Sequence, residues 1–262
     1  MEKPAILHTE DLCIGYRNKK QVRIICANIN LNLRRGSLIT LVGANGIGKS
    51  TLLRTLSGIM PPIEGKVSLD DSDMQQYDSL TLAKKLSVVL TDALPPSNLT
   101  VFELVALGRQ PYTNWLGTLT TDDVAKVNSA LELVQATELA NRRHFEISDG
   151  QLQKALIARA LAQDSPFIIL DEPTTHLDLQ HKVALFRLLK KLTRETGKTI
   201  LFSTHDLDLA MNVSDEMIVM TKNNLVQGSP STLANNRIFD SIFDDNSIVF
   251  DAASGKFIFK DL

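Results

Sequence analysis

Residues 38–56 join a short apolar run, a glycine-rich loop and a segment suited to a helix. The run Leu-Ile-Thr-Leu-Val at 38–42 favours a buried strand, and the run Leu-Leu-Arg-Thr-Leu at 52–56 favours a helix. Between them, residues 43–51 fit the pattern G-x-x-x-x-G-K-[ST]. A loop of this kind turns successive backbone N–H groups inward, where they and the start of the next helix bind phosphate oxygens. The segment therefore predicts an α/β fold that binds phosphate.

The loop adds a cation and a hydroxyl group to these backbone donors. Lys49 places a positive charge on the outer phosphates of a nucleotide, and the hydroxyl of Ser50 suits Mg²⁺. We assign nucleotide binding to the whole loop, which consists of Gly43, Ala44, Asn45, Gly46, Ile47, Gly48, Lys49, Ser50 and Thr51.

Two carboxylates follow a second apolar run. Residues 167–170 read Phe-Ile-Ile-Leu, which places Asp171 at the carboxyl end of a buried strand, where ligands of open α/β sheets bind. Asp171 can hold Mg²⁺ through water, and Glu172 can orient or deprotonate an attacking water. Taken alone, the pair also fits helix caps. Together with the loop it predicts hydrolysis of a nucleoside triphosphate.

Two rival phosphoryl-transfer reactions are weighed against this hydrolysis. The tetrapeptide Asn-Lys-x-Asp, typical of guanine recognition, does not follow Asp171 in the sequence, which disfavours a GTPase. Transfer to a small acceptor, as in a kinase, stays an alternative at this point.

Composition excludes several classes of protein. Apolar residues make up 44% and charged residues 22%, a globular mixture rather than a disordered one. The net charge of −2 argues against a broad nucleic-acid-binding surface. No apolar run approaches the roughly 20 residues of a membrane-spanning helix, and no secretory signal precedes the domain, so we expect a cytosolic protein. Cys13 and Cys26 are interpreted as buried thiols.

The periodicity of apolar residues predicts two kinds of sheet. Apolar residues alternate with Asn from Ala27 to Leu33, which predicts a half-buried antiparallel strand with residues 5–16 as its partner. The short apolar runs at 38–42, 167–170 and 200–202 predict parallel strands that are buried on both faces.

Helical spacing dominates the middle of the chain. Between about 91 and 163 no strong strand pattern occurs, and 121–136 is predicted to be a surface helix. A second helix is predicted at 179–196, with Gly197 as its stop. Residues 247–259 favour a terminal β-hairpin.

A further motif gives the chain its resemblance to a known family. Residues 147–151 read Ile-Ser-Asp-Gly-Gln, a capping-box pattern that precedes Asp171 by one helix and one strand. With this motif, residues 8–235 resemble the nucleotide-binding subunit of an ABC transporter. The resemblance rests on five motifs in order, namely 43–51, 147–151, 167–172, Leu177-Asp178 and Ser203-Thr204-His205-Asp206.

The resemblance implies a P-loop NTPase cassette of the α/β class. Its parts would be a RecA-like parallel-sheet core, an N-terminal antiparallel β subdomain and a helical insertion subdomain. Residues 1–240 would form this single cassette, with the helical subdomain at about 91–163 and a tail at 241–262.

The resemblance also implies roles for particular residues. Tyr16 would stack on adenine, and His205 would contact the γ-phosphate and fix the attacking water beside Glu172. Ser50 and Asp171 would hold Mg²⁺. His8, His144, His176 and His181 have no such context and are interpreted as surface or core residues.

Other implied roles concern a second copy of the chain. Two copies would sandwich two ATP molecules, each between the loop of one copy and the signature motif of the other. Asp178 would communicate across this dimer. The signature residues that act in trans would be Ser148, Asp149, Gly150 and Gln151.

Two positions depart from the family's pattern. Thr91 stands where the family usually has a Gln that reaches Mg²⁺ or the water, and its side chain is too short to do so directly. Asp149 stands where Gly is most frequent; its carboxylate suits a helix start but adds negative charge near the γ-phosphate. The expected coupling function of the segment at Thr91 is thus open, while ATP hydrolysis is still expected.

Residues 99–112 resemble a subfamily that serves importers of iron-siderophores, haem and cobalamin, chiefly through Leu107-Gly108-Arg109-x-Pro111-Tyr112. This resemblance implies a permease partner in the membrane, an indirect partnership with a substrate-binding protein, and a place at the cytoplasmic face of the inner or plasma membrane. No nucleic-acid partner is expected. Another ABC transporter, such as a metal-ion importer, and a soluble ABC ATPase stay as alternatives.

Overall fold

The computed structural model describes residues 4–18, 21–91, 97–175, 177–222, 224–242, 248–251 and 256–259. Its internal contacts divide the chain into two compact units. The first unit comprises Met1–Gln76 and Thr199–Leu262, and the second comprises Tyr77–Lys198. Within the described residues, no helix combines the length and the apolar character that a membrane crossing requires.

The strands, in chain order, are β1 (Ala5–Asn18), β2 (Gln21–Ile29), β3 (Asn32–Arg34), β4 (Leu38–Gly43), β5 (Glu64–Leu69), β6 (Ser72–Asp73), β7 (Leu86–Val89), β8 (Phe167–Leu170), β9 (Thr199–Ser203), β10 (Glu216–Met220), β11 (Leu225–Gly228), β12 (Ile248–Asp251) and β13 (Lys256–Phe259). The α-helices are α1 (Lys49–Leu56), α2 (Ser79–Lys85), α3 (Val101–Ala106), α4 (Thr121–Leu133), α5 (Asp149–Ala162), α6 (Leu179–Thr196), α7 (Leu207–Val213) and α8 (Pro230–Asn235). A 3₁₀ segment, Leu107–Tyr112, follows α3 directly.

The first unit contains the predicted antiparallel sheet, with strand order β2-β1-β5-β6 and β3 paired with β1. The partnership of 5–16 with 27–33 is confirmed, but 27–33 is not one strand, because β2 ends at Ile29 and β3 begins at Asn32. Asn28 adopts a left-handed backbone with φ of 56°. Because this conformation breaks the period of two, Ala27 is exposed, contrary to prediction, while Ile29, Leu31 and Leu33 are buried.

The first unit also contains a buried parallel sheet. β4 lies between β9 and β10 and is parallel to both, and every residue of β4 is buried. β11 pairs antiparallel with β10. The apolar runs at 38–42 and 200–202 are thus confirmed as strands covered on both faces.

The terminal hairpin is confirmed by the antiparallel pairing of β12 with β13. The side chain of Phe250 packs on that of Phe239, with ring centroids 5.1 Å apart. The backbone N–H of Phe250 also donates to the carboxylate of Asp240 over 2.8 Å. These contacts attach β12 to the apolar cluster of the first unit. Ser247 and the predicted turn at 253–255 lie outside the described residues.

The second unit pairs β7 parallel with β8, so the predicted buried strand at 167–170 is confirmed. Helices α3, α4 and α5 pack together in this unit. α6 matches its prediction residue for residue, and Gly197 ends it with φ of 67°. The prediction of a helix over 121–136 is wrong at its end: α4 stops at Leu133 because Gln135 adopts φ of 56°, which a right-handed helix does not allow.

A buried ion pair joins the elements of the second unit. The Nε of Arg109 donates to the carboxylate of Asp123 over 2.9 Å, and both side chains are only 4% exposed. The guanidinium of Arg109 also donates to the carbonyl of Ala162 over 2.7 Å and lies 4.0 Å from the ring centroid of Tyr112. The pair therefore connects the 3₁₀ segment with α4 and the end of α5.

The carboxylate of Asp123 has a second set of partners. The backbone N–H and the hydroxyl of Thr120, the N-cap of α4, both donate to it. These hydrogen bonds, and then that from Arg109, lower the pKa of Asp123 from 3.8 to about 2. Because the folded protein favours the ionised form, this stabilisation is complete above about pH 4 and is lost as the pH falls toward 2.

Asp123→Ala is expected to lower the free energy of unfolding by about 3 kcal/mol, since it leaves the guanidinium of Arg109 buried without its counter-ion. Urea unfolding at pH 7 measures this loss. The exposed neighbour Asp122 supplies the matched control, Asp122→Ala, which should unfold as the wild type does. Equal midpoints for the two variants would contradict the importance of the pair.

Candidate functional site

The glycine-rich loop leaves the carboxyl end of β4 and leads directly into α1. Gly46 and Gly48 adopt φ of 73° and 119°, and Gly48 is the N-cap of α1. The N–H of Leu52 donates to the carbonyl of Gly48 over 2.9 Å, which begins the helix. The N–H groups of the first turn have no partner inside the helix ladder, so they form a site suited to an anion.

The side chain of Lys49 folds back over this loop. Its Nζ donates to the carbonyls of Gly43 over 3.0 Å and Ala44 over 3.3 Å. The side chain is 5% exposed, so the ammonium group is held at one place. A cation and a helix N-terminus therefore lie in the same loop, as the sequence predicts.

Tyr16 lies beside the same helix. Its hydroxyl is 3.0 Å from that of Thr51, in the first turn of α1. Tyr16 is 47% exposed, so much of its surface remains open to solvent. This places an aromatic ring near the loop in the first unit, where an adenine could stack.

His205 also lies near the loop in the first unit. It follows β9, and the N–H of Thr204 donates to the carbonyl of Leu41 over 3.1 Å, which keeps the end of β9 beside β4. A cavity of about 220 Å³ is lined in part by Gly43, Ala44, Asn45, Thr204 and His205.

Asp171 occupies the carboxyl end of β8 in the second unit. It is 2% exposed, and its N–H donates to the carbonyl of Val89 in β7 over 2.8 Å. The hydroxyl of Thr91 donates to its carboxylate over 3.4 Å. The sequence predicts the position of Asp171 but not this hydrogen bond.

Glu172 has a strained backbone. Its φ of 44° is unusual for a residue with a side chain. The hydroxyl of Thr175 donates to the carbonyl of Glu172 over 3.0 Å and is 3.4 Å from its carboxylate. Such strain is concentrated at functional positions. Sequence reasoning identified Glu172 by its place after Asp171 and missed Thr175.

The signature motif forms the start of α5. Ser148 is the N-cap; its hydroxyl accepts from the N–H of Gln151 over 3.4 Å, and the Gln151 side chain accepts from the N–H of Ser148 over 3.1 Å. The predicted capping box is thus confirmed. Asp149 is the first residue of the helix, where its negative charge interacts favourably with the helix dipole.

Asp178 caps α6 close to the signature motif. It accepts hydrogen bonds from the backbone N–H of His181 over 2.9 Å and from its Nδ1 over 2.8 Å, and these lower the pKa of Asp178. The ring of His181 in turn lies next to Gly150, where an added Cβ would be 3.4 Å from it. Sequence reasoning gave His181 no role, although its spacing of three from a helix-capping Asp is a usable signal.

Two other histidines follow the sequence interpretation. His144 is buried, and its Nε2 is 2.9 Å from the hydroxyl of Ser97. His8 is partly exposed and lies 3.6 Å from Glu10. His176 is outside the described residues.

The available metal ligands suit Mg²⁺ that arrives with a nucleotide. Among the described residues, no group of three or more His, Cys, Asp or Glu side chains forms a metal site. Mg²⁺ is typically held by one or two protein oxygens plus substrate phosphates. The Ser50 hydroxyl, in the first turn of α1, and the buried Asp171 carboxylate are oxygen donors of this kind.

A glycine-rich phosphate loop between a buried parallel strand and a helix, with an acidic strand end elsewhere in the chain, defines a P-loop nucleotide-binding protein. Residues 26–175 match the family described as ABC transporter. The chain belongs to the ABC transporter family. ABC cassettes of this family hydrolyse ATP, so the protein is an ATPase, which decides against the kinase alternative.

Similar proteins extend this match over most of the chain. The iron(3+)-hydroxamate import ATP-binding protein FhuC of Bacillus subtilis is 37% identical over 95% of this chain and 92% of its own length. The ferric enterobactin transport ATP-binding protein FepC of Escherichia coli is 35% identical over 95% and 91%. A dimeric ATP-binding cassette, solved in a post-hydrolysis state with ADP and phosphate, is 28% identical with a TM-score of 0.73, covering 86% of this chain and 98% of that one.

Gly48→Ala is expected to weaken ATP binding more than Gly46→Ala. A Cβ at Gly48 would lie 2.4 Å from the Ile25 side chain and would also require φ of 119°, whereas a Cβ at Gly46 meets nothing within 4 Å and only requires φ of 73°. Overpacking of this kind costs about 1–3 kcal/mol. Titration with a fluorescent ATP analogue measures both variants, and equal affinities would refute the steric argument.

Proposed function

We propose that this ATPase energises an importer of iron chelates, with iron-siderophores as the first cargo class and haem or cobalamin as the others. The observation that carries the proposal is the match to FhuC and FepC along nearly the whole chain. The string Leu107-Gly108-Arg109-x-Pro111-Tyr112 supports it through its resemblance to the subfamily of chelate importers. In the structure, Arg109 holds this segment in place.

Each motif has its own part in the proposed reaction. In the first unit the loop 43–51 binds the phosphates of ATP, Tyr16 stacks on adenine and His205 contacts the γ-phosphate. Ser50 and Asp171 would hold Mg²⁺, and Glu172 accepts a proton from the attacking water. The bound ion neutralises developing charge on the phosphates.

A second copy of the chain completes each site. Ser148 and Gly150 present a hydroxyl and a helix N-terminal amide to the γ-phosphate held by the other copy, and Asp178 connects the two sites. Ser148 and Asp149 are exposed at the start of α5, which suits contact with a partner. The solved cassette that the chain resembles is a dimer. ATP contacts to both copies give the closed dimer its greater affinity.

Glu172→Gln is expected to preserve ATP binding and to reduce the rate of hydrolysis by about 10²- to 10⁴-fold, the usual contribution of a general base. Phosphate release measures the rate, and a fluorescent ATP analogue measures binding. The exposed Glu138 supplies the matched control, Glu138→Gln, which should keep the wild-type rate. An unchanged rate in Glu172→Gln would reject its proposed role.

The proposed membrane partner is a permease that docks on the second unit. This partnership places the protein at the cytoplasmic face of the membrane and in indirect contact with a substrate-binding protein.

An apolar loop of the second unit, which contains Trp115 and Leu116, is the proposed docking surface. Trp115 is 92% exposed and Leu116 67% exposed. The side chain of Asn114 accepts from the N–H groups of Leu116 and Thr118, each over 3.1 Å, so the loop presents these residues in a fixed turn. Adjacent exposed apolar residues, aromatic ones above all, are typical of protein interfaces.

Trp115→Ala is expected to reduce co-purification with the membrane permease by at least tenfold while ATP binding by the isolated chain stays unchanged. Ile59, 56% exposed in the first unit, supplies the matched control, Ile59→Ala. Pull-down from detergent-solubilised membranes measures the partnership. Equal recovery of the permease with both variants would exclude this docking surface.

Transport of labelled iron-siderophore, haem and cobalamin by the recovered complex identifies the cargo class. Uptake of a free metal ion instead would favour a different ABC importer. Co-purification with ribosomes and no permease would favour a soluble ABC ATPase and overturn the import proposal.

A further inference from the structure

The register of β7 and β8 brings Thr91 next to Asp171. The two strands are parallel, with Val89 opposite Leu170. The N–H of Asp171 donates to the carbonyl of Val89 over 2.8 Å, so pairing continues one residue beyond β8. Thr91 is two residues past Val89 and follows β7 out of the sheet at the same edge.

A side-chain hydrogen bond joins the two residues at this edge. The hydroxyl of Thr91 is 3.4 Å from the Oδ2 of Asp171. An ionised carboxylate can only accept, so the hydroxyl is the donor. Asp171 is 2% exposed, whereas Thr91 is exposed and reaches the carboxylate from the solvent side. The contact is long for an O–H···O hydrogen bond.

We propose that Thr91 is a positioning residue that orients the carboxylate of Asp171 toward the Mg²⁺ of bound ATP. Its hydroxyl restrains Oδ2 and thereby limits rotation of the whole carboxylate. The inference rests on the proposed role of Asp171 in Mg²⁺ binding. Thr91 acts through the carboxylate, because its hydroxyl donates its hydrogen to Oδ2.

The chemistry of the two side chains favours an action of Thr91 through Asp171 over direct coordination of the ion by Thr91. Residues that hydrogen-bond a metal-binding carboxylate fix its orientation, and their loss typically weakens metal affinity by about 10- to 100-fold. A hydroxyl fixes the carboxylate without adding charge, so the negative charge of Asp171 remains available to the cation.

Three variants test the role. Thr91→Val keeps the shape of the side chain and removes the donor, and Thr91→Ser keeps the donor. Thr137, an exposed threonine of the same unit, supplies the matched control Thr137→Val. The probe is Mn²⁺, which replaces Mg²⁺, and its binding to each protein saturated with a non-hydrolysable ATP analogue is followed by electron paramagnetic resonance.

Thr91→Val is expected to raise the Kd for Mn²⁺ about 10- to 100-fold. Thr91→Ser and Thr137→Val should stay within about threefold of the wild type, and metal-free binding of a fluorescent ATP analogue should be the same in all four proteins. Normal Mn²⁺ affinity in Thr91→Ser would show that the loss in Thr91→Val comes from the missing donor. A merely structural effect of Thr91→Val would also change metal-free nucleotide binding.

Two results would overturn the inference: an unchanged Mn²⁺ Kd in Thr91→Val, or an equal loss of metal-free and metal-dependent nucleotide binding. Neither result would contradict the proposed function, provided that the wild-type protein binds ATP and Mn²⁺. A wild-type protein that binds ATP but no Mn²⁺, or an Asp171→Asn variant with unchanged Mn²⁺ affinity, would instead refute the assignment of Asp171.

Discussion

The position of β4 between two parallel neighbours is the constraint on which the first unit depends. Its backbone is hydrogen-bonded to β9 on one side and β10 on the other, and its side chains are buried on both faces. Its carboxyl end therefore has no freedom to shift. The phosphate loop begins at that end, and the segment with His205 leaves β9 beside it, so one strand fixes two parts of the proposed nucleotide site.

Two buried aspartates of the second unit differ in their hydrogen-bond partners, and the difference agrees with a structural role for one and the proposed functional role for the other. Asp123 is matched by the charge of Arg109 and by two donors of Thr120, and its lowered pKa reflects a carboxylate used for packing. Asp171 stands at a strand end beside the hydroxyl of Thr91, and the next residue, Glu172, is held in a left-handed backbone. Loss of a partner is therefore costly at the first carboxylate, whereas backbone strain lies next to the second.

Local sequence patterns predicted much of the secondary structure correctly. The buried strands β4, β8 and β9, the helix α6 with its Gly197 stop, and the capping box at Ser148 all follow from spacing within a few residues. The errors occurred where one residue other than glycine takes a left-handed backbone. Asn28 turns Ala27 outward and Gln135 ends α4 early. Asn adopts a left-handed backbone more often than most residues, so Asn28 carried a signal that the period of two outweighed, whereas Gln135 carried none.

The sequence by itself determined the chemical inventory: a phosphate loop with Lys49, an acidic strand end at Asp171 and a capped signature helix, each written in consecutive residues. Only the tertiary structure decided how distant residues meet. The contact of Thr91 with Asp171 depends on the register of β7 against β8, and that of His181 with Gly150 on the approach of the first turn of α6 to the first turn of α5. Motifs and periods are local, whereas register and packing are settled by the burial of the whole unit.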